Sequence, residues 1–222
     1  MGKMRVHNED ILVVGMGRFG GAVATELHRL GNRVTAVELD HALAESYLGR
    51  VGRIVQGDAT NVTFVEELRP AEFSGAVLGI GSSVEASVLA AVNLIDAGAP
   101  KVWAKAVSPE HARILARIGV QHVLSPEIES GQRLAHLVGS KLIDYIEFDD
   151  GFAIVKMIPP KEAVGFTLEQ SQIRSRYGVT VVGVKPPGED FTHARPETKV
   201  HEGDTIIVSG PTSLIERMAA RP

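Results

Sequence analysis

The feature that most constrains the fold is a glycine-rich segment at residues 15–20, whose sequence is GMGRFG. It follows an apolar run at residues 11–14, which is typical of a buried strand, and it precedes a stretch whose apolar side chains recur at helical spacing. In a strand–loop–helix unit, the first glycine permits the tight turn, the second lets a pyrophosphate approach the backbone, and the third lets the helix pack against the sheet. Gly15, Gly17 and Gly20 therefore predict a phosphate site at the N-terminus of the helix.

Strand-like and helix-like segments alternate through the first two thirds of the chain. Further apolar runs are expected to form strands at residues 33–38, 52–56, 76–80, 101–105 and 120–124. Helix-forming stretches separate these runs, and the last one is expected to extend from Pro126 to about Leu142. The alternation predicts an α/β fold, a Rossmann-type doubly wound parallel sheet with helices on both faces, over residues 1–142.

The pattern changes after residue 142, where short strand-like runs alternate with turns rich in proline and glycine. Strands are expected at residues 145–148, 153–158, 179–184 and 205–208. Single short helices are expected at residues 168–174 and 213–219. Residues 143–222 are therefore predicted to form a small C-terminal α+β lobe.

The composition limits the chemistry that the chain can perform. It contains no cysteine, which excludes thiol catalysis, thiolate metal sites and disulfides, and which fits a reducing cytosol. The formal net charge is -4 and no long basic run occurs, so nucleic acid is not expected as a partner. No apolar run is long enough to span a bilayer, so an action on a membrane process would require docking onto another chain.

An acidic residue ends the second predicted strand, where a Rossmann-type fold places the carboxylate that holds a ribose. Glu38 lies near the expected spacing of about 20 residues after the glycines, and Asp40 is a second candidate. A carboxylate there accepts hydrogen bonds from the ribose hydroxyls and repels a 2′-phosphate, which disfavours NADP. Arg18, beside Phe19 in the glycine segment, either pairs with a terminal phosphate or is a solvated arginine at a helix start.

Other candidates follow the predicted strands at the carboxyl edge of the sheet, where such folds bind ligands. Asp58, followed by Ala59, either contacts the base of a nucleotide or only caps the next helix. Asn61 is also placed to cap that helix, which is expected to run to about residue 68. Ile80 and Gly81 are expected to line the ribose and the phosphates.

Two charged residues complete the set of candidates. Lys105 ends the fifth predicted strand and either faces the same crevice or is a surface lysine. Glu127 follows Pro126 at the start of a long helix, where carboxylates are common for reasons of the helix dipole alone.

Together these residues resemble the RCK family, the regulatory domains of prokaryotic potassium channels and transporters, which includes soluble KtrA/TrkA-like subunits of Ktr and Trk potassium uptake systems. The resemblance covers nearly the whole chain. Its markers in the first lobe are residues 14–21, 57–60, 102–106, 118–120 and 125–127. Its markers in the second lobe are Gly165, residues 173–174 and 177–178, Pro196, residues 202–204 and Gly210.

The resemblance implies a cytoplasmic subunit, peripheral at the inner face of the membrane, that binds ATP or ADP in the crevice and gates a potassium-translocating membrane partner of the KtrB/TrkH type. It also implies a homodimer that assembles into a ring, an octamer. Arg18 would contact the terminal phosphate, Glu38 would hold the ribose, and Glu127 would reach the nucleotide of an adjacent subunit through a divalent cation such as Mg²⁺. Cyclic di-AMP is a further expected ligand, at the C-terminal lobe, whose variable stretch is residues 185–188.

An NAD-dependent dehydrogenase is the alternative function, with NAD(H) as the alternative ligand. It would need an acid–base group near the nicotinamide, but the C-terminal lobe offers few candidates, with His193 and His201 standing among turn residues. No GxxxxGK[ST] segment predicts a P-loop ATPase, and no recognition helix or basic face predicts a DNA-binding redox sensor. We therefore expect a sensor and not an enzyme.

Overall fold

A computed structural model of the protein describes residues 9–138, 141–148 and 150–220. The chain forms two compact units, of which the first extends to Glu127 and the second starts at Ile128. Each unit has its own sheet and its own hydrophobic core. No helix among the described residues is long and apolar enough to cross a membrane.

The sheet of the first unit is parallel throughout. Its strands are β1 (Asp10–Val14), β2 (Arg33–Glu38), β3 (Arg53–Gln56), β4 (Gly75–Leu78), β5 (Val102–Lys105) and β6 (His122–Leu124). Within the described residues they lie in the order β3-β2-β1-β4-β5-β6, so the chain starts at the centre and winds outward in both directions. The predicted doubly wound parallel sheet is thus confirmed.

Helices cover both faces of this sheet. They are α1 (Arg18–Arg29), α2 (His41–Ser46), α3 (Val62–Leu68), α4 (Val84–Asp96) and α5 (Pro109–Arg117). Leu12 and Val14 of β1 pack with buried residues of α3, α4 and α5, whereas Val13 packs on the other face with Ala24 of α1. Because the central strand is buried on both faces, its sequence is continuously apolar rather than alternating.

The register of the strands brings their carboxyl ends to one level. Val14 pairs with Val37 and with Leu78, and Lys105 pairs with Leu124. The segments that follow β1, β2, β4 and β5 therefore emerge at the same edge of the sheet, which is where the candidate residues lie.

The second unit contains an antiparallel sheet. Its strands are β7 (Leu142–Glu147), β8 (Phe152–Met157), β9 (Thr180–Lys185), β10 (Thr192–His193) and β11 (Thr205–Pro211). Within the described residues their order is β10-β9-β11-β8-β7. Helix α6 (Pro126–Leu137) precedes this sheet in the chain. Further α-helices of the unit are α7 (Leu168–Ser171), α8 (Ile173–Tyr177) and α9 (Thr212–Ala219).

The helix predicted from Pro126 to about Leu142 ends earlier, and its predicted end is wrong. Helix α6 stops at Leu137, residues 139–140 lie outside the described residues, and Leu142 begins β7, where it pairs with Met157. Leu142 is buried in the core of the second unit, and Gly139, which precedes it in the sequence, is a helix-stop signal that the prediction did not use. The division into units falls between residues 127 and 128, so most of α6 belongs to the second unit. The domain boundary expected at residues 142–143 stays a prediction.

Two other details of the second unit differ from the sequence predictions. The single helix expected at residues 168–174 is two short helices, because Gln172 between them adopts a left-handed conformation with φ of 51°. His193 does not stand in a turn but in the short edge strand β10, where it pairs with Gly183. Neither a two-residue strand nor a left-handed glutamine leaves a clear signal in the sequence.

Candidate functional site

The glycine segment forms a tight loop between β1 and α1. Gly15 has φ of +85°, a conformation that favours glycine, and its N–H donates to the carbonyl of Val37 at 2.8 Å. A Cβ added at Gly20 would overlap the carbonyl oxygen of Gly15, so only glycine allows α1 to approach the loop this closely. Gly15 and Gly20 therefore have the roles that the sequence predicts for the first and third glycines.

Gly17 leaves open space at the start of α1. It is the N-cap residue with φ of −59°, and a Cβ added there would meet no atom within 4 Å. Among the described residues no side chain caps α1, although the first N–H groups of a helix have no partner within the helix. Arg18 is exposed at the first position of the helix, and Phe19 is half-buried against the core. The open helix start can accept an anion.

Glu38 lies directly beside the glycine loop. Its Oε2 accepts a hydrogen bond from the N–H of Met16 at 2.6 Å, and its Oε1 accepts from the N–H groups of Leu39 and Asp40 at 2.8 Å and 3.0 Å. The side chain of Asp40 instead caps α2 by accepting from the N–H of Leu43 at 2.7 Å. Of the two acidic candidates, the structure thus places Glu38 next to the loop.

The segment after β3 separates the alternatives for Asp58. Asn61 caps α3, accepting from the N–H of Phe64 at 3.2 Å, so the interpretation that Asp58 only caps this helix is wrong. Asp58 is exposed and accepts from the N–H and the hydroxyl of Thr60 at 2.9 Å and 2.8 Å, which closes a local turn. Ala59 is buried.

Lys105, Gly81 and Glu127 come together at the ends of β5 and β4 and the start of α6. The Nζ of Lys105 donates to Oε1 of Glu127 at 2.6 Å. A Cβ added at Gly81 would lie 3.4 Å from the same Nζ. Ile80, the preceding residue, packs against Gly15, because a Cβ added at Gly15 would lie 3.0 Å from its Cγ1. The lysine is therefore next to the crevice rather than on open surface.

The electrostatics of Glu127 link it to Arg18 as well. The hydrogen bond from Lys105 and the bond from its own backbone N–H hold the pKa of Glu127 below its usual value, and the charges of Lys105 and Arg18 lower this pKa further. Sequence reasoning found these three residues separately but missed the ion pair between Lys105 and Glu127. No local signal reveals it, since the partners stand 22 residues apart in the chain.

A cation at this site would need ligands beyond the protein side chains. Among the described residues no group of three or more histidines and acids could hold a metal ion. Mg²⁺ commonly binds through one or two carboxylates together with phosphate oxygens and water. The single carboxylate of Glu127 is one of the oxygen donors that this arrangement requires.

A doubly wound sheet with this glycine loop, an uncapped helix start and a carboxylate at the end of β2 defines a Rossmann-type protein with a phosphate-binding geometry. Family models agree, since the TrkA-N domain matches residues 11–126 and the TrkA-C domain matches residues 152–221. The chain therefore belongs to the family of proteins that carry TrkA-N and TrkA-C domains, which confirms the resemblance to RCK regulatory subunits.

Curated relatives match nearly the whole chain. The chain is 28% identical over 214 residues to Ktr system potassium uptake protein A of Bacillus subtilis, covering 96% of each protein. It is 31% identical over 209 residues to Ktr system potassium uptake protein A of Vibrio alginolyticus, covering 94% of this chain and 95% of the relative.

Solved structures show the same fold. The RCK domain of GsuK has a TM-score of 0.69 and 19% identity, covering 98% of this chain and 49% of that one. The GsuK channel bound to NAD has a TM-score of 0.67 and 19% identity, covering 95% of this chain and 39% of that one.

Proposed function

We propose that the protein is the cytoplasmic, nucleotide-sensing subunit of a potassium uptake system, which binds ATP and ADP in the crevice of its first unit and thereby gates a membrane potassium-translocating partner. The potassium uptake proteins that match almost the whole chain support the physiological context. The observation that carries nucleotide binding is the open, uncapped start of α1 at Gly17, with Glu38 on one side of the loop.

Each part of a nucleotide has a suitable partner at this edge of the sheet. The N–H groups at the start of α1 offer hydrogen bonds and the positive end of the helix dipole to the phosphates. A carboxylate has about four lone-pair sites, and Glu38 uses three of them for the N–H groups of Met16, Leu39 and Asp40, so about one remains for a ribose hydroxyl. Asp58 is exposed at the same edge and is proposed to contact the base.

A sensor must also distinguish its ligands. The glycine loop and Glu38 address groups that ATP, ADP and NAD share, and a ligand that binds both conformations equally shifts no equilibrium. We assign the distinction to Arg18, which is exposed at the helix start, and to Glu127, which would act through a divalent cation such as Mg²⁺. A coupling of about 1–3 kcal/mol between the site and the partner is sufficient for regulation.

Three further assignments rest on the resemblance and on relatives. NAD(H) is the competing ligand of the crevice, in line with the GsuK channel bound to NAD. Homodimers are proposed to assemble into an octameric ring under the membrane partner. Cyclic di-AMP is proposed to bind the second unit near residues 185–188, which begin at the last residue of β9 and continue after it.

The first test replaces Gly17 with valine. The backbone at Gly17 suits any residue and the space around it is empty, so Gly17→Val is expected to fold but to block the approach of the pyrophosphate. Calorimetry should show that ADP binding is lost in Gly17→Val and weakened less in Gly17→Ala, while thermal unfolding stays close to that of the parent. Unchanged ADP affinity in folded Gly17→Val would refute the site.

The second test measures the discrimination between ATP and ADP, with and without Mg²⁺. Arg18→Ala is expected to weaken ATP binding more than ADP binding, because only ATP carries the γ-phosphate. Glu127→Gln is expected to reduce the effect of Mg²⁺ on ATP affinity more than it changes ADP affinity. If both variants keep the ATP-to-ADP affinity ratio and the Mg²⁺ dependence of the parent, these residues are not the sensor.

A further inference from the structure

The ion pair between Lys105 and Glu127 joins two side chains that differ greatly in solvent exposure. The Lys105 side chain is only 13% exposed and is held at the end of β5, whereas the Glu127 side chain is 62% exposed at the start of α6. A mostly buried ammonium requires a negative partner, while an exposed carboxylate is readily solvated. Lys105 is therefore the fixed member of the pair and Glu127 the exchangeable one.

The pair stands at the end of a continuous set of contacts that starts at the glycine loop. A Cβ added at Gly79 would lie 2.9 Å from the carbonyl oxygen of Gly15, so the end of β4 packs on the loop. A Cβ added at Gly81, two residues later, would lie 3.4 Å from the Lys105 ammonium, so the ammonium lies against this segment. The ammonium thus contacts the segment after β4, the same segment that packs on the glycine loop.

Charge around this point is unevenly distributed. The start of α1, Arg18 and Lys105 are all positive, and the charges of Arg18 and Lys105 both act on the Glu127 carboxylate. An anion that enters the crevice meets the groups that already attract Glu127. A terminal phosphate and the Glu127 carboxylate are therefore competitors for one ammonium.

We propose that Glu127 occupies the place of a terminal phosphate in the ligand-free protein, and that Lys105 exchanges Glu127 for the phosphate when a nucleotide binds. This inference rests on the proposed nucleotide site. The exchange releases a carboxylate beside the phosphates, where it is repelled unless a divalent cation bridges the two. Glu127 therefore opposes nucleotide binding without a cation and assists it with one, and Lys105 transmits the opposition.

The test is calorimetry with ATP in EDTA and in Mg²⁺, on the parent, Glu127→Gln, Lys105→Met and the double variant. Without a cation, Glu127→Gln is expected to raise ATP affinity by about fivefold or more, the lower end of typical coupling between sites. With Mg²⁺ the same change is expected to lower ATP affinity. In the Lys105→Met background the gain in EDTA is expected to disappear, because the lysine that the two anions share is absent.

The chain supplies a matched control for each change. Pro109-Glu110 starts α5 as Pro126-Glu127 starts α6, so Glu110→Gln removes the same charge from an equivalent helix position. Lys101→Met removes an exposed lysine just before β5. Both controls are expected to leave ATP affinity unchanged.

Each contrary result has a separate meaning. A gain from Glu127→Gln that persists in full in the Lys105→Met background would show simple repulsion and overturn the exchange. Lower or unchanged ATP affinity of Glu127→Gln in EDTA would show a purely structural ion pair and overturn it as well. A parent that binds neither ATP nor ADP would refute the proposed function together with the exchange, whereas a parent that binds both isolates the failure to Lys105 and Glu127.

Discussion

His111 is a buried residue behind the candidate site that the sequence did not single out. It is 1% exposed in α5, and its Nδ1 accepts a hydrogen bond from the N–H of Val107 at 3.3 Å. Val107 follows the strand that carries Lys105. A Cβ added at Gly81 would lie 3.3 Å from the Cγ1 of Val107. The neutral imidazole therefore holds the segment that forms one wall around Lys105.

We expect His111 to make the protein less stable in acid. Burial lowers the pKa of His111 in the folded state, so below the ordinary value of about 6.5 the unfolded chain binds a proton that the folded chain resists. The free energy of unfolding should therefore fall as the pH drops below this value, and the fall should end near the lowered folded pKa.

Urea unfolding between pH 8 and pH 5 measures this contribution of His111. His111→Gln, whose amide oxygen can still accept from Val107, should flatten the slope below pH 6.5 relative to the parent. His28→Gln, a change at an exposed histidine, should leave the slope as it is in the parent. A parent and a His111→Gln variant with identical slopes would contradict the assignment.

The roles of the glycines in the loop could be predicted from the sequence, because each role meets a local requirement of a strand–loop–helix turn. The proximity of Glu38 to the loop could be predicted for the same reason. The bond between Lys105 and Glu127 could not, because it depends on how β5 and the start of α6 meet in space, which no local pattern encodes. The burial of His111 is likewise a result of packing.

At the scale of elements, periodicity located the strands and helices of the first unit well and their ends less well. The strand predicted at residues 33–38 agrees with the structure, and so does the helix predicted after the glycine segment. The end of α6 and the break between α7 and α8 do not agree: Leu142 begins β7 and is buried in the core of the second unit, and Gln172 has a left-handed backbone. The end of α6 does have a local signal, since Gly139 stands two residues after Leu137, but the prediction did not use it.

Asn61, the N-cap of α3, and the nearby Asp58 are expected to affect different properties, the stability of the fold and the binding of ADP. Asn61→Ala removes the side chain that accepts from the N–H of Phe64 and should lower the free energy of unfolding by about 1 kcal/mol. It should leave ADP affinity unchanged, because Asn61 serves the helix. Asp58→Ala should weaken ADP binding, as expected of a residue that contacts the base.

Urea unfolding and ADP calorimetry on the same preparations distinguish these two roles. Thr60→Val is the control for the local turn, since it removes the hydroxyl that donates to Asp58 and keeps the carboxylate. If Asp58→Ala keeps the ADP affinity of the parent, Asp58 only closes the turn and does not contact the base.

At the scale of the whole molecule, most residues of helix α6 are exposed. None of residues 126–137, all of which the structure describes, is buried. Of the apolar residues in the stretch predicted as one helix, Leu137 packs against the core of the second unit and Leu142 belongs to β7. Ile128, Leu134 and Val138 are 43%, 59% and 71% exposed. Leu134 and Val138 are four residues apart, the spacing of neighbours on one helix face, and exposed apolar neighbours of this kind are candidates for an interaction surface.

We expect the protein to form dimers or larger rings in solution, and we expect α6 to contribute to their interface. Light scattering at micromolar concentration should report a mass of two or more chains, with and without nucleotide. Leu134→Glu places a charge on the exposed stripe and should shift the distribution toward the monomer, because a buried unpaired charge is strongly disfavoured at an interface. Leu48→Glu is the matched control, since Leu48 is 64% exposed in the first unit and its replacement should leave the mass unchanged. A parent that is monomeric under all these conditions would rule out a self-assembled subunit, and an oligomer that tolerates Leu134→Glu would place its interface away from α6.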